Sequence, residues 1–408
     1  MVTIHSIETK TKNQPVKLVA PEPSIDDVVN QLHSLKVQKL KDNRVPLPAL
    51  AKKRMEKYGI DISRGYPEIP NDSDIPIYVQ DATKIRDSEV PFVDRGKFAD
   101  PEKKALFSAV KEVKHLSKHL GTELVGVQLL SLNEKQLDEL ALLIAERIVV
   151  FFRDQDLSPQ RQVELGHYFG NVEVHAQQPR VPGLAGTTVI WPDYMIQNGV
   201  KYRFKQSRTA TGVWHSDLSH EFQPAGITHL HNDTIPEVGG DTLWSSGYAA
   251  YDKLSSALQQ FLDGKEAVYV SIHQYLDRDD PFGGKKSIER VHPLVRTHPV
   301  TGWKSLYVNR QMTKSIVGLE PAESKLILEY LFDVYEKNLD IQVRFNWKSK
   351  SGLGTSALWD NRVSQHCAVW DYENDEPRHG TRVTSLAELP IFDPNSKSQR
   401  EALGLSLN

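Results

Sequence analysis

Two histidines and an aspartate, dispersed along the chain, are the residues best suited to chemistry. His215 and Asp217 lie two apart in Trp214-His215-Ser216-Asp217, and His366 comes far downstream in Asp360-Asn361-Arg362-Val363-Ser364-Gln365-His366. Side chains at i and i+2 of a strand point to one face, so an extended 213–218 lets His215 and Asp217 grip one ion from one side while a distant strand supplies His366. Two imidazoles and a carboxylate on one face of an octahedron is the non-heme Fe(II) arrangement. It leaves three positions open for a co-substrate and dioxygen.

A second His-x-Asp, His231-Asn232-Asp233, competes for the same role. It sits where an alternating run from Gly226 enters the turn Thr234-Ile235-Pro236-Glu237-Val238-Gly239-Gly240, so a polar sheet face with satisfied side chains is the expected reading there.

The elements that must position these residues follow from periodicity. Residues 131–146 are expected to form a helix capped by Asn133, with a buried strand over 147–153 and a second capped helix over 158–169. Residues 100–116 are expected to be helical. Beyond 187 the pattern turns to short β-type runs between Gly, Pro, Asn and Asp turns: 187–191, 213–218, 227–232, 241–244, 267–274, 291–296, 304–308, 341–345, 357–360 and 379–385. Helices over 249–263 and 321–338 interrupt them, the second opened by Pro321. Many short strands, with the candidate ligands split between early and late ones, predict an α+β, mainly β chain built as a double-stranded β-helix of the cupin-like jelly-roll kind with flanking helices. Residues 1–100, rich in charge, proline and short turns with helical runs near 25–41 and 49–58, read as an N-terminal extension packing over the core or a neighbouring subunit. The catalytic domain then spans 101–408.

Several motifs agree in order and spacing over roughly Leu120 to Leu386: Trp214-His215-Ser216-Asp217, Gly239-Gly240-Asp241-Thr242, His292-Pro293, Thr297-His298-Pro299-Val300-Thr301-Gly302, Leu358 to His366, and Arg378-His379-Gly380-Thr381-Arg382. Together they resemble the taurine dioxygenase group of 2-oxoglutarate-dependent oxygenases, and within it most of all the fungal sulfonate dioxygenases. The resemblance implies that His215, Asp217 and His366 are the iron ligands. Thr242 and Arg378 then hold the distal carboxylate of 2-oxoglutarate, and Arg382 and His175, in Val174-His175-Ala176-Gln177, bind the substrate sulfonate. The register of the two arginines rests on their four-residue spacing, because the preceding segment is one residue longer than in the bacterial taurine enzyme, so an exchange of their roles stays open.

The same resemblance implies Fe(II), 2-oxoglutarate and O2, with ascorbate stimulatory. The implied reaction hydroxylates the carbon next to a sulfonate, releasing sulfite and an aldehyde for sulfur acquisition. Alkyl sulfate esters, aryloxy acids or carboxylic acids are alternative substrates for the same chemistry. A non-catalytic metal-binding jelly roll is the remaining rival, which Thr242 and Arg378 argue against. A homo-oligomer, dimer or tetramer, is also implied.

The residue types themselves support part of this. Arginine's planar fork matches a carboxylate in a bidentate way that lysine's point charge does not, and arginines four apart on a strand share a face. A solvated basic edge is the competing reading. Trp214, Trp244 and Trp359 flank the motifs and either wall the site or simply pack the core.

Composition excludes other classes. With 50 basic and 53 acidic residues the net charge is -3, which offers no polyelectrolyte surface for nucleic acid. The single cysteine, Cys367, excludes an intramolecular disulfide and a Cys-based zinc site and fits a reducing compartment. It adjoins His366, so it is expected to face away and pack. No apolar h-region opens the chain, no apolar run reaches about 18 residues, and Leu403 to Asn408 is not a peroxisomal signal, so the cytoplasm is expected and no membrane contact.

Overall fold

In a computed structural model of the protein, residues 45–198, 213–372 and 376–406 are described. The expected helix at 25–41 and the basic stretch 201–208 lie outside them.

The described part opens with α1 (Ala49–Lys57), α2 (Val79–Lys84) and α3 (Lys104–Ala109) and then a hairpin of β1 (Glu112–His115) and β2 (Thr122–Val125). The helix expected over 100–116 is thus only six residues long; its C-terminal part pairs as a strand instead, with Glu112 opposite Val125. Helix α4 (Glu134–Arg147) starts as expected. The Asn133 side chain accepts from Gln136 N and the Gln136 side chain returns to Asn133 N, satisfying two first-turn donors.

Strand β3 (Val149–Gln155) follows, then α5 (Pro159–Phe169), β4 (Asn171–Val172), β5 (Thr188–Ile190) and α6 (Pro192–Gln197). The Val149-Val150-Phe151-Phe152 run is apolar at every position because both faces of β3 are covered. Val150 and Phe152 pack under α4 with Leu140 and Ile144, whereas Val149 and Phe151 face the interior of the roll.

The roll itself comprises β6 (Ala225–Thr234), β7 (Thr242–Ser246), helices α7 (Gly247–Asp252) and α8 (Ser256–Leu262), β8 (Glu266–Tyr275), β9 (Lys286–Pro293), β10 (Val295–Thr297), β11 (Lys304–Leu306), β12 (Thr313–Ile316), α9 (Pro321–Lys337), β13 (Gln342–Phe345), β14 (Gly354–Asp360), β15 (Ser364–Ala368) and β16 (His379–Leu386), closed by α10 (Gln399–Ala402). The single helix expected over 249–263 is two, because the Ser255 hydroxyl caps a new helix at Leu258 N.

The large sheet runs β1-β2-β3-β14-β6-β16-β4, with β5 also on β16. A small sheet of order β13-β7-β15 faces it. Between them lies an aromatic core in which Phe151 stacks on Phe345 at 3.7 Å and meets Trp244 edge-on at 5.2 Å. This pair of facing sheets is the jelly roll that the strand pattern predicts, and its mouth is where β15, β16 and the loop before β6 converge.

The strand expected over 213–218 does not form. Only His215 pairs, as an isolated antiparallel bridge to His366, and the chain then turns through Leu218 at φ 54. Residues from 45 onward pack on the protein's own core: Met55 and Tyr66 join Val189, Trp191 and Tyr194, and Arg54 enters the large sheet from α1.

Candidate metal centre and anion pocket

Strand β15 carries His366 and is paired along one edge with β7, so its other edge is free to take His215. His215 N donates to His366 O at 3.1 Å and His366 N to His215 O at 2.8 Å, which fixes the two imidazoles side by side with ring centroids 4.2 Å apart. The turn after Ser216 brings the third group round: Asp217 Oδ1 lies 3.6 Å from His215 Nε2 and 3.9 Å from His366 Nε2. One ligand atom from each of the three falls within 4.8 Å of the others. A turn therefore does what a strand was expected to do.

The donors are in the right state for a divalent cation. His215 Nδ1 is 2.9 Å from Val213 O, which places the ring proton there and leaves the Nε2 lone pair for a metal. Burial drives His366 down to about 3, reinforced by His215 and opposed by Asp217, so the ring is neutral. Burial pushes the Asp217 carboxyl up, but Arg382, His366, His215 and the Thr228 hydroxyl outweigh it and hold the group at about 2, as a carboxylate.

Asn361 holds this constellation together, a role not apparent from its sequence neighbours. Its Oδ1 accepts from Asp217 N at 3.1 Å and from Trp359 Nε1 at 3.1 Å, while its Nδ2 donates to Gly226 O and to Thr228 Oγ1, the hydroxyl that bonds Asp217 Oδ2. Trp359 in turn lies 4.8 Å from the His366 ring, so it walls the centre, whereas Trp244 is enclosed in the core. The turn between β14 and β15 is anchored by Asp360, which accepts from Arg362 and pairs with His298 at 3.0 Å. That explains the Thr297-His298-Pro299 motif as scaffold. Cys367 packs, its buried thiol pushed up to about 12.

Thr242 opens β7 opposite Ala368 of β15, and its hydroxyl accepts from Trp347 Nε1 at 3.0 Å. The preceding glycines bring the chain after β15 against this strand. Gly239 and Gly240 have φ of 83 and 69, Gly240 N donates to Asp371 Oδ1, and a Cβ on Gly239 would meet that carboxylate at 2.6 Å. Trp370 is thereby placed beneath Arg378, with the guanidinium 6.0 Å from its ring centroid. Arg378 is buried, and its Nε and Nη1 have no hydrogen-bond partner among the described residues. An enclosed guanidinium with open donors costs stability unless an anion completes it, and its fork suits a carboxylate.

Arg382 lies within β16, while Arg378 immediately precedes that strand, and a register irregularity between His379 and Gly380 falls between the two arginines. A common strand face therefore does not govern the two arginines. Arg382 Nη1 donates to Asp217 Oδ1 at 3.0 Å, and its Nε is buried without a partner among the described residues. His175 Nδ1 accepts from the backbone N–H groups of Gln177 and Gln178, which orients the ring and leaves Nε2–H as a donor. Burial keeps this ring neutral, with His273, Arg86, Arg382 and His220 adding to the effect, so His175 lies in the field of Arg382.

The second His-x-Asp is structural. His231 Nδ1 is 3.0 Å from Ser356 Oγ, and Asp233 is held by Arg54 at 3.1 Å and His379 at 2.8 Å. Both side chains are buried and satisfied, as the polar-sheet-face reading expects.

The donor set of His215, Asp217 and His366, with two nitrogens and one oxygen, fits a divalent iron with open positions, and the open donors of Arg378 fit the far end of a dicarboxylate. The sequence model of the taurine catabolism dioxygenase TauD, TfdA family matches residues 112–384. The chain belongs to the TauD/TfdA family. It is accordingly a 2-oxoglutarate-dependent dioxygenase, a class that uses iron and O2. A Schizosaccharomyces pombe protein that carries the provisional name alpha-ketoglutarate-dependent sulfonate dioxygenase is 39% identical over 77% of this chain and 79% of its own. The alpha-ketoglutarate-dependent sulfonate dioxygenase of Saccharomyces cerevisiae is 37% identical over 69% of this chain and 68% of its own. Among solved structures, a taurine dioxygenase from Burkholderia xenovorans superposes with a TM-score of 0.58 at 31% identity, covering 70% of this chain and 92% of that one. The jelly roll of this family is the architecture described above. No helix among the described residues is long and apolar enough to cross a membrane.

Proposed function

We propose that the protein oxidises an alkyl sulfonate at the carbon bearing the sulfur, releasing sulfite and an aldehyde. The observation that carries this reading is a pair of arginines whose donors are incompletely satisfied among the described residues: Arg378, which is buried, and Arg382, which is half-buried and lies against Asp217 of the His215, Asp217, His366 cluster. One cation serves the co-substrate, and the other, with His175, serves a second anion. The sulfonate reading is supported by the names of the fungal relatives.

His215, Asp217 and His366 hold Fe(II) in this reading, and Thr242 and Arg378 fix the distal carboxylate of 2-oxoglutarate. When bound, iron and 2-oxoglutarate with O2 supply the oxidant that replaces hydrogen by hydroxyl on the substrate carbon, the co-substrate leaving as succinate and carbon dioxide. The hydroxylated product then expels sulfite as its C–S bond breaks and the O–H proton is lost, which gives the aldehyde.

The protein's own part is positional. Arg382 and the Nε2–H of His175 hold the three sulfonate oxygens so that the adjacent C–H faces the metal, and Trp359 keeps water from the His366 side. Asp217, held as a carboxylate by Arg382 and Thr228, stays a ligand while the second anion binds beside it.

Succinate formation from 2-oxoglutarate with Fe(II), measured with and without ascorbate over sulfonates, sulfate esters and aryloxy acids, tests the reading. Sulfite release coupled to succinate is the expected result, with ascorbate stimulating by keeping iron ferrous. Coupled turnover of aryloxy acids alone would overturn it.

A further inference from the structure

Arg86 stands in the loop after α2, in the extension that precedes the roll, yet its guanidinium enters the wall behind His175. Its Nη2 donates to the Glu173 carboxylate and to Val174 O at 2.9 Å, the two residues immediately before His175. Its Nη1 donates to Glu221 Oε1 at 2.5 Å, four residues after Asp217. Both carboxylates are buried, at 3% and 9% side-chain exposure, and Arg86 itself is 17% exposed. One fork thus ties the segment bearing the candidate sulfonate contact to the segment bearing a candidate metal ligand.

The ties continue on either side. Glu173 N donates to Thr384 O of β16, two residues beyond Arg382, and Glu221 O accepts from His292 Nε2 at 2.9 Å, which anchors the loop to β9. The His175 ring packs edge-on against His273 of β8 at 5.6 Å, and Gln177 Nε2 reaches the Tyr275 hydroxyl. The gap between His175 and Asp217 is therefore set in part by groups that are not adjacent in sequence to either, and Arg86 bonds directly to both segments.

We infer that Arg86 is a positioning residue for the prime substrate: its three-way contact with Glu173, Val174 and Glu221 sets the separation between His175 and the metal centre, and so gives residues 1–100 a part in substrate binding. A planar fork makes such contacts at fixed angles, and a shift of about 1 Å in a binding group can cost a hundredfold in rate. The inference rests on reading His175 as a contact of the substrate anion. Arg86 touches none of Thr242, Arg378 or the three candidate ligands, so it predicts a defect confined to one of the two organic substrates.

The test uses the full chain with Arg86→Ala and Arg86→Lys. Arg86→Ala is expected to raise the KM for 1-butanesulfonate roughly tenfold or more, to consume more 2-oxoglutarate per sulfite released, and to leave the KM for 2-oxoglutarate and the affinity for Mn(II) unchanged. Calorimetric titration of 1-butanesulfonate into protein loaded with Mn(II) and 2-oxoglutarate should show the same weakening without turnover. Removing the cation leaves two carboxylates buried near each other, which itself destabilises, so Arg86→Lys is the second arm. It retains the charge but makes fewer fixed contacts, and is expected to fold while still raising the sulfonate KM severalfold. A wild-type sulfonate KM in Arg86→Lys, or equal rises in both KM values in Arg86→Ala, would overturn the inference. If the wild-type protein takes no sulfonate, the functional reading fails first, and the same comparison with a sulfate ester or an aryloxy acid still scores Arg86.

Discussion

Arg382 Nη1 lies 3.0 Å from Asp217 Oδ1, so the residue proposed to bind the substrate head group also grips a candidate metal ligand. In the proposed function, substrate anion and metal site share one cation, so neither can be altered in isolation.

The first prediction follows from that sharing. Arg382→Ala should weaken sulfonate binding and also tighten Fe(II) binding, because a buried carboxylate that loses a charged partner typically worth about 2–5 kcal/mol regains that stabilisation from the metal. Isothermal titration with Mn(II) and sulfite release measured side by side check it. Unaltered metal affinity would show that the contact is incidental.

Arg378→Ala should act on the co-substrate alone. The arginine touches none of the three candidate ligands, and loss of its fork should raise the KM for 2-oxoglutarate by about 30-fold or more, a cost of about 2 kcal/mol or above. Saturation curves that shift only for the sulfonate would mean that the two arginines exchange roles.

The two His-x-Asp pairs should separate cleanly. His215→Ala, Asp217→Ala or His366→Ala should abolish turnover and Fe(II) binding. Asp233→Ala should leave metal stoichiometry intact but strand the buried Arg54 and His379, at a cost of about 3–5 kcal/mol. Thermal unfolding and metal analysis of the same preparations distinguish them, and metal loss in Asp233→Ala with no loss of stability would reverse the assignment.

Acid stability should report on Asp360. Burial raises this carboxyl, but Arg362 and His298 outweigh it and hold it well below the usual carboxylate range. A depressed folded value means that the pair's contribution is fully present above the unfolded value of about 3.9 and is lost as pH falls below it. Asp360→Asn should therefore lower Tm at neutral pH and flatten its fall below about pH 4. An acid limb as steep as wild type would show that other carboxylates dominate it.

The sequence by itself determined which residue types were available for the centre and much of the local scaffold. Asn133 starts α4 because a cap needs only its next three residues, and Val149 to Phe152 read as a doubly buried strand because every position is apolar. His215, Asp217 and His366 were legible from residue type and from a dispersed family pattern. The local geometry at 213–218 was not. Alternation suggested a strand, yet among the described residues there is no second partner on that edge, and one bridge to His366 followed by a left-handed Leu218 suffices. The C-terminal part of the helix expected at 100–116 was lost for the converse reason, since a strand partner at 122–125 overrode local propensity.

Only the tertiary structure decided who meets whom. Sheet order places β14 between β3 and β6 and β16 beyond β6, and that order brings Arg382 to Asp217 across 165 positions, Asn361 to Asp217 across 144, and Arg86 to Glu221 across 135. These contacts carry no local signal, because the side chains that satisfy a buried charge are chosen by strand pairing and chain return rather than by neighbours in sequence. The chemistry of the centre is therefore written in residue types, whereas its geometry, and the part taken in it by the extension through Arg86, comes from the fold.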